Sequence, residues 1–352
     1  MRATDYPLGP VTVLGAHIFD VLGRPVEAIP PGQGSAKLEQ IRATAAGTAA
    51  GTGVDLAKLG AEVFAIGAIG DDLLGDMVTA AMARYGVDTG GLSRKPGVQT
   101  SATILPIRPN GERPALHVRG ATPLLELADV DLERVRASRA LLIGGPDALG
   151  AIVPDGLRQV ATVARDGGAL LAVDVLYPGG PGDLERIRSL LEVADWFLPN
   201  GDQLLALTGR DDIPSAVKDI LALGTGGVAV TLGADGCLVG WQGGDEFVAL
   251  PAIEVEVVDT TGCGDGFTAG MLAGLLLGAG PVDAAWLGTA CGSLVATGLG
   301  SDAGIESLGQ VLEFLDRAQP AAAARIAASV GRGTATRHPD TAPQQAKEQI
   351  HE

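Results

Sequence analysis

The sequence predicts an α/β fold: a doubly wound, mainly parallel sheet with helices on both faces, plus a small β lid. Three observations carry that expectation. Short apolar, β-branched runs alternate with segments of helical spacing along most of the chain. The later runs, ALLIGG at 140–145, ALLAVDV at 169–175, DWFLPN at 195–200 and GVAVTLG at 227–233, each finish close to a Gly, Asp or Asn. That is the carboxyl edge, where parallel sheets bind ligands. One stretch, 99–119, interrupts the alternation with two extended runs around Asn110-Gly111, a hairpin signal.

Taken in order, VTVLG at 11–15 reads as a buried strand, with Asp20 a few residues past its carboxyl end. Pro25, Pro30 and Pro31 with Val26 and Ile29 suggest an edge strand, since proline removes a ladder donor. Gly47, Gly51 and Gly53 then crowd the entry to a helix whose apolar positions include Val54, Leu56 and Leu59, ending at Gly60. Val63 to Ile66 is a strand, and Gly67 to Gly70 turns into a helix with Asp71 and Asp72 at its positive end. The hairpin and the strand near Val26 form the lid, from about 20–34 and 98–120. Its exposed edge and apolar face predict a homodimer through the lid.

Helical spacing returns at 155–166 and 183–193, and TLGADG (231–236) is another glycine-bearing turn on the carboxyl edge. The centre of the chain is VVDTTGCGDGFTAGMLAGLLLG at 257–278. An extended approach (Val255, Val257, Val258) meets a tight turn that opens into an apolar helix. Gly262 and Gly264 let the backbone close round a bound group, and the helix start aims free N–H groups at that spot. Asp265 stands at the mouth of this anion site and reads as a general base. Taken alone, the turn also reads as an ordinary corner with an N-capping aspartate. A small-residue helix follows over 284–298, then a final helix over 305–317 and an alanine-rich segment. The domain is expected to span 1–325, with a polar, flexible tail at 331–352.

Composition excludes several classes. The 352 residues are 46% hydrophobic and 19% charged, with 52 glycines and 3% aromatics, which suits many short turns in an α/β domain. A formal net charge of −17 argues against nucleic acid or an anionic membrane as partner, so an anionic substrate needs a local binding device. Cys237, Cys263 and Cys291 have no metal-ligand spacing, which points to a reduced, cytoplasmic setting. Gly266, Gly270, Gly274 and Gly278 recur every fourth residue in an uncharged run, as at membrane dimer faces. Asp265, Pro281 and Asp283 interrupt it too soon for a span, so close packing of a buried helix on the sheet is expected.

The unbroken string Asp259, two threonines, Gly-Cys-Gly and Asp265 resembles the C-terminal signature of the PfkB (ribokinase-like) carbohydrate kinases, usually DTxGAGD. The resemblance extends over about 11–317. AAGTAAGTGVDLAKLG is similar to the family's N-terminal signature, and FLPNGDQ to its Asn-x-x-Glu segment. It implies ATP-dependent phosphorylation of a sugar hydroxyl, with Asp265 as base and Gly262, Cys263 and Gly264 as anion hole. Asp20, Gly47, Thr48 and Gly51 would line the sugar site. Asn200, Thr231, Gly233, Gly236 and Thr289 would hold the nucleotide with Mg²⁺, and Asp259, Thr261 and Gly300 a K⁺ ion. A lid would keep water from the transfer. An adenosine-like nucleoside is the alternative acceptor, and a catalytically weak sugar-binding regulator the third reading. Three positions depart from the pattern. Gly51 stands for a sugar-contacting asparagine, Gln203 for the glutamate, and Cys263 for alanine, a thiol at a helix start where a lowered pKa is open to it.

Overall fold

A computed structural model describes residues 8–109 and 112–330 of the chain. The Asn110-Gly111 turn and the segment 331–352 lie outside them. In chain order the elements are β1 (Pro10–Gly15), β2 (Ile18–Arg24), β3 (Gln40–Ala46), α1 (Thr48–Lys58), β4 (Glu62–Gly70), α2 (Leu73–Ala83) and β5 (Asp88–Lys95). There follow β6 (Ala102–Pro106), β7 (Leu116–Val118), α3 (Leu132–Ala137), β8 (Ala140–Gly144), α4 (Asp155–Asp166), β9 (Leu170–Asp174) and α5 (Pro181–Leu191). Then come β10 (Trp196–Phe197), α6 (Gly201–Thr208), α7 (Ile213–Ala222), β11 (Gly227–Thr231), β12 (Cys237–Trp241) and β13 (Val248–Leu250). The chain closes with α8 (Cys263–Leu276), α9 (Pro281–Val295), α10 (Leu308–Ala318) and α11 (Pro320–Val330).

Nine strands form the main sheet in the order β13-β12-β11-β10-β9-β8-β1-β4-β5, parallel except at β12 and β13. Alternation sends side chains to opposite faces. On β8, Leu142 joins the apolar layer that holds Leu272 and Leu287, whereas Leu141 and Ile143 join the layer with Val160 and Leu190. Helices α1, α8 and α9 lie on the first face and α4 to α7 on the second. Strand order reverses at β1, which has β4 on one side and β8 on the other, and that is where a doubly wound sheet opens a ligand crevice. The second sheet has four strands in the order β3-β2-β6-β7.

Three local expectations are corrected. The proline run 25–31 is not a strand; the strand beside it ends at Arg24, where the Val26 N–H has already turned to the Ile107 carbonyl. Its antiparallel partner is β3, which ends just before Gly47 at the entry to α1. The approach Val255–Val258 forms no sheet ladder, so α8 is entered from an irregular segment. The domain boundary expected at 325 falls inside α11, where Ala322, Ala323 and Ile326 are buried.

The glycine ladder also packs on something else. Gly266, Gly270 and Gly274 face Cys291, Gly288 and Ala284 on α9, so the two helices meet backbone to backbone rather than helix to sheet. Side chains there would need α9 to move outward. Among the described residues no helix is long and apolar enough to cross a membrane.

Candidate active site

Two cavities meet above the carboxyl edge of the main sheet. The first, about 490 Å³, is roofed by β2, β6 and the 113–117 segment and lined by Asp20, Gly47, Thr48, Thr103, Arg113 and Asp265 among others. The second, about 520 Å³, lies between α8, α9 and the irregular segment 252–257, with Phe267, Ile253 and Val257 giving it an apolar wall. Thr231, Gly233, Thr260, Cys263 and Gly264 border both.

The turn at this junction is built by local bonds. The Asp259 carboxylate is 1% exposed and accepts from the Thr261 N–H (3.0 Å), the Thr261 hydroxyl (2.8 Å) and the Gly300 N–H (2.9 Å). Gly262 then takes φ +82° as the residue capping α8, with its Cα against Ser301, so a side chain there would be both strained and blocked. Among the described residues no protein group accepts from the N–H of Gly262, Gly264 or Asp265, and the Cys263 N–H makes only a long contact to Thr260 O, at 3.4 Å. Unpaired amides at the start of a 14-residue helix make an anion cradle. At Gly264 a Cβ would meet open space.

Asp265 occupies the first turn of α8, and its carboxylate rests on the bare backbone of Gly51 in α1. Burial, with the negative charge of Asp20 adding to it, raises its pKa to about 7 against the pull of Arg113. Gly51 is therefore absent from the cavity wall and serves as the seat of Asp265. Asp20, on β2, is 6% exposed. Burial lifts its pKa to about 6, while the Thr103 hydroxyl and Arg113 oppose the rise. Its Oδ1 has no protein partner, and a buried orphan acceptor beside a cavity is a hydroxyl-binding feature. Gly47 holds φ +87° and Thr48 starts α1; the Thr48 hydroxyl is likewise unpartnered.

On the opposite wall Asn200 caps α6. Its side chain accepts from the Gln203 N–H (2.9 Å), while Gln203 Oε1 accepts from the Asn200 N–H (2.8 Å). The Gln203 amide also donates to the Val175 carbonyl (2.9 Å), so this residue is committed to the cap. Asp202 is exposed and borders neither cavity. Thr231 and Gly233 stand at the junction, and Gly236 lies in the second cavity with φ +88°. Thr289 borders the second cavity too, but its hydroxyl donates to Ala285 O (2.9 Å) in its own helix. Burial pushes the Cys263 thiol up to about 12, which overturns the expected lowering: desolvation and the carboxylates of Asp259 and Asp265 outweigh the helix start.

Sequence reasoning missed four members. Arg113 donates from Nε to the Thr260 hydroxyl (3.2 Å) and sits within electrostatic reach of both Asp20 and Asp265. Asp174 ends β9, 5% exposed, accepting from Thr268 (3.1 Å); burial and Asp265 push its pKa well above the usual carboxylate range. Its place at the carboxyl end of ALLAVDV was a usable signal. His117, bonded to Thr103 (3.1 Å), meets the Tyr177 ring edge-on at 6.2 Å, and both line the first cavity.

Comparison with known proteins gives this geometry its family. The family model for pfkB family carbohydrate kinase matches residues 10–308. The chain is 28% identical over 287 residues to fructokinase-1 of Oryza sativa subsp. japonica, covering 77% of this chain and 88% of that protein. It is 26% identical over 313 residues to a deoxyribokinase of Salmonella typhi, covering 87% and 98%. Among solved structures, Arabidopsis thaliana ribokinase complexed with ribose and ATP superposes with a TM-score of 0.74 at 25% identity, covering 87% and 98%. An E. coli protein solved with ATP and Mg²⁺ shares the fold, with a TM-score of 0.76 at 22% identity over 88% of this chain and 99% of that one. The chain belongs to the pfkB family of carbohydrate kinases.

Proposed function

We propose that the protein transfers the γ-phosphoryl group of ATP to a hydroxyl of a free sugar or sugar derivative, with Asp265 as base and the amides of Gly262, Cys263 and Gly264 as the anion hole. The observation that carries this reading is the junction itself: a helix start with unpaired N–H groups lies where a polar cavity meets an apolar one. The apolar cavity suits a nucleotide base. The polar cavity, with the orphan Asp20 oxygen, suits a polyol. Asp265 accepts the proton of the acceptor oxygen as that oxygen bonds to phosphorus, and ADP leaves on the far side. The amides and Arg113 neutralise the charge that spreads over the phosphoryl oxygens. A site of this kind works by positioning and electrostatics more than by covalent chemistry.

Mg²⁺ supplies further charge neutralisation when it accompanies the nucleotide. Such an ion would bind largely through phosphate oxygens and water, with one or two protein groups. Asn200 lines the first cavity and would meet the ion's water shell, while Gln203 stays in the cap. The relatives' names, fructokinase, deoxyribokinase and ribokinase, support a monosaccharide acceptor. The Tyr177–His117 ring pair favours a second reading, a nucleoside stacked in the first cavity.

ADP release measured over pentoses, hexoses and nucleosides tests both. Turnover with a monosaccharide supports the first, adenosine alone the second, and silence with every acceptor removes both. The exposed Ile41 (69%), Ile104 (58%) and Leu116 (57%) on the four-stranded sheet support a homodimer through it, which sedimentation velocity checks. The three unpaired cysteines fit a reducing cytoplasm.

A further inference from the structure

The monovalent-cation expectation at Asp259, Thr261 and Gly300 meets side chains that are already bonded to one another. The Asp259 carboxylate has its three donors, the Thr261 hydroxyl is one of them, and the Gly300 carbonyl accepts from the Ala303 N–H (3.1 Å). These side chains are committed to a brace rather than to an ion.

A fixed cation stands on the other side of the same loop. Lys58 is the last residue of α1, and its side chain is 7% exposed. Its Nζ donates to the Asp302 main-chain carbonyl at 2.6 Å and to Asp55 Oδ1 at 3.3 Å, and lies 4.8 Å from the centre of the Tyr85 ring. Two acceptors and a ring face account for the ammonium, as a nearly buried charge requires. The Asp302 carboxylate is held separately, by Arg42 (2.8 Å) and the Tyr85 hydroxyl (2.7 Å). Burial raises the Asp55 pKa against the pull of the Lys58 ammonium, which is held at the shorter distance by the loop carbonyl.

What Lys58 holds matters because the loop backs the anion turn. Gly300 donates to Asp259, and Ser301 lies against the Cα of Gly262 while its hydroxyl bonds the Ala45 carbonyl (3.0 Å). A shift of Asp302 therefore moves the surface on which the phosphoryl-binding amides sit.

We propose that Lys58 is a positioning residue whose ammonium does the work of a dissociable monovalent cation, pinning loop 300–304 so that the anion turn is formed without K⁺. The kinetic half of its test rests on the phosphotransferase reading; the thermal half does not. Wild-type protein is melted in KCl, NaCl and choline chloride at equal ionic strength. Equal midpoints are expected, and a K⁺-specific rise of several degrees overturns the proposal, since it would reveal a bound ion. Turnover in the three salts is expected to agree as well.

Lys58→Met, and Lys58→Met combined with Asp55→Asn to avoid a stranded carboxyl, are then assayed after circular dichroism has confirmed the fold. The expected result is a fall in kcat of about 100-fold with KM for ATP and acceptor little changed, the mark of displaced reacting groups. A folded double variant with wild-type kcat overturns the assignment. Should neither variant fold, the wild-type salt comparison decides alone. Should no acceptor be phosphorylated, the functional reading fails while the melting comparison still decides for or against Lys58.

Discussion

The anion turn and the proposed acceptor wall line the same cavity and are made in opposite ways. The turn comes from one short stretch, 259–265, braced by bonds within it and by the Gly300 N–H on the Asp259 carboxylate. The wall is gathered from Asp20 on β2, Thr103 on β6, Arg113 and His117 after it, and Tyr177 beyond β9. A device written in one stretch keeps its residues together wherever the fold places it. A scattered one can change residue by residue without touching the chemistry. On the proposed function, phosphoryl transfer would belong to the turn and acceptor choice to the wall.

The largest effect expected is on the turn. Asp265→Asn should lower kcat about 1,000-fold, the usual range for losing a general base, while acceptor binding by calorimetry stays near wild type. The same group sets the pH dependence. Burial raises the Asp265 pKa to about 7, and only the ionised form accepts a proton. Activity should therefore fall as pH drops through about 7, where an unperturbed aspartate would hold until about 4. An acid limb near 4, or retained turnover in the Asn variant, would move the base elsewhere. Because Asp20 also titrates high, at about 6, the limb is expected to be steeper than a single ionisation.

Gly51 joins the two regions and sharpens the division. Its absent side chain is the space in which the Asp265 carboxylate lies. Gly51→Asn installs the residue that the family pattern places there, yet here its Cβ would collide with Asp265. We expect kcat to fall about 100-fold, the scale of a misplaced reacting group, with a smaller change in acceptor KM. A gain in acceptor affinity with full kcat would show instead that the carboxylate has a second resting place and that the turn is less fixed than its bonds indicate.

A smaller and more selective effect is expected on the wall. Asp20→Asn keeps shape and removes charge from the orphan acceptor. Acceptor KM should rise about tenfold, the cost of a weakened charged hydrogen bond, with KM for ATP unchanged. Equal losses for both substrates would mean that Asp20 supports the whole crevice rather than one hydroxyl.

This same division explains what could be read from the chain. The alternation at 140–233, the helix after Gly262 and the string from Asp259 to Asp265 were legible, because each is written in consecutive residues. β5 was not, since Asp88–Lys95 carries two glycines and no apolar alternation and owes its pairing to β4. Arg113 gave no sign of its role: an arginine on a polar hairpin arm looks solvated until β6 and β7 swing it over Thr260. Asp174 was visible as a strand-end acid, but its burial against α8 belongs to tertiary packing. The seat of Asp265 on Gly51 joins positions on α1 and α8, and no spacing within either helix announces it.

The smallest effect is expected at Cys263, and it is the sharpest check on how the turn works. If the turn acts through its main chain, the side chain at 263 is incidental. Burial and the neighbouring carboxylates push the thiol up to about 12, so near neutral pH it stays protonated and supplies neither a thiolate nor an anion to the site. Cys263→Ala leaves the N–H in place, so kcat should remain within about twofold, below the scale of a lost hydrogen bond. Iodoacetamide should modify the native protein slowly at pH 7, because the thiolate is the reactive form. Rapid alkylation, or a large loss of rate in the alanine variant, would assign chemistry to the sulfur and end the view that backbone amides alone carry the phosphoryl charge at this position.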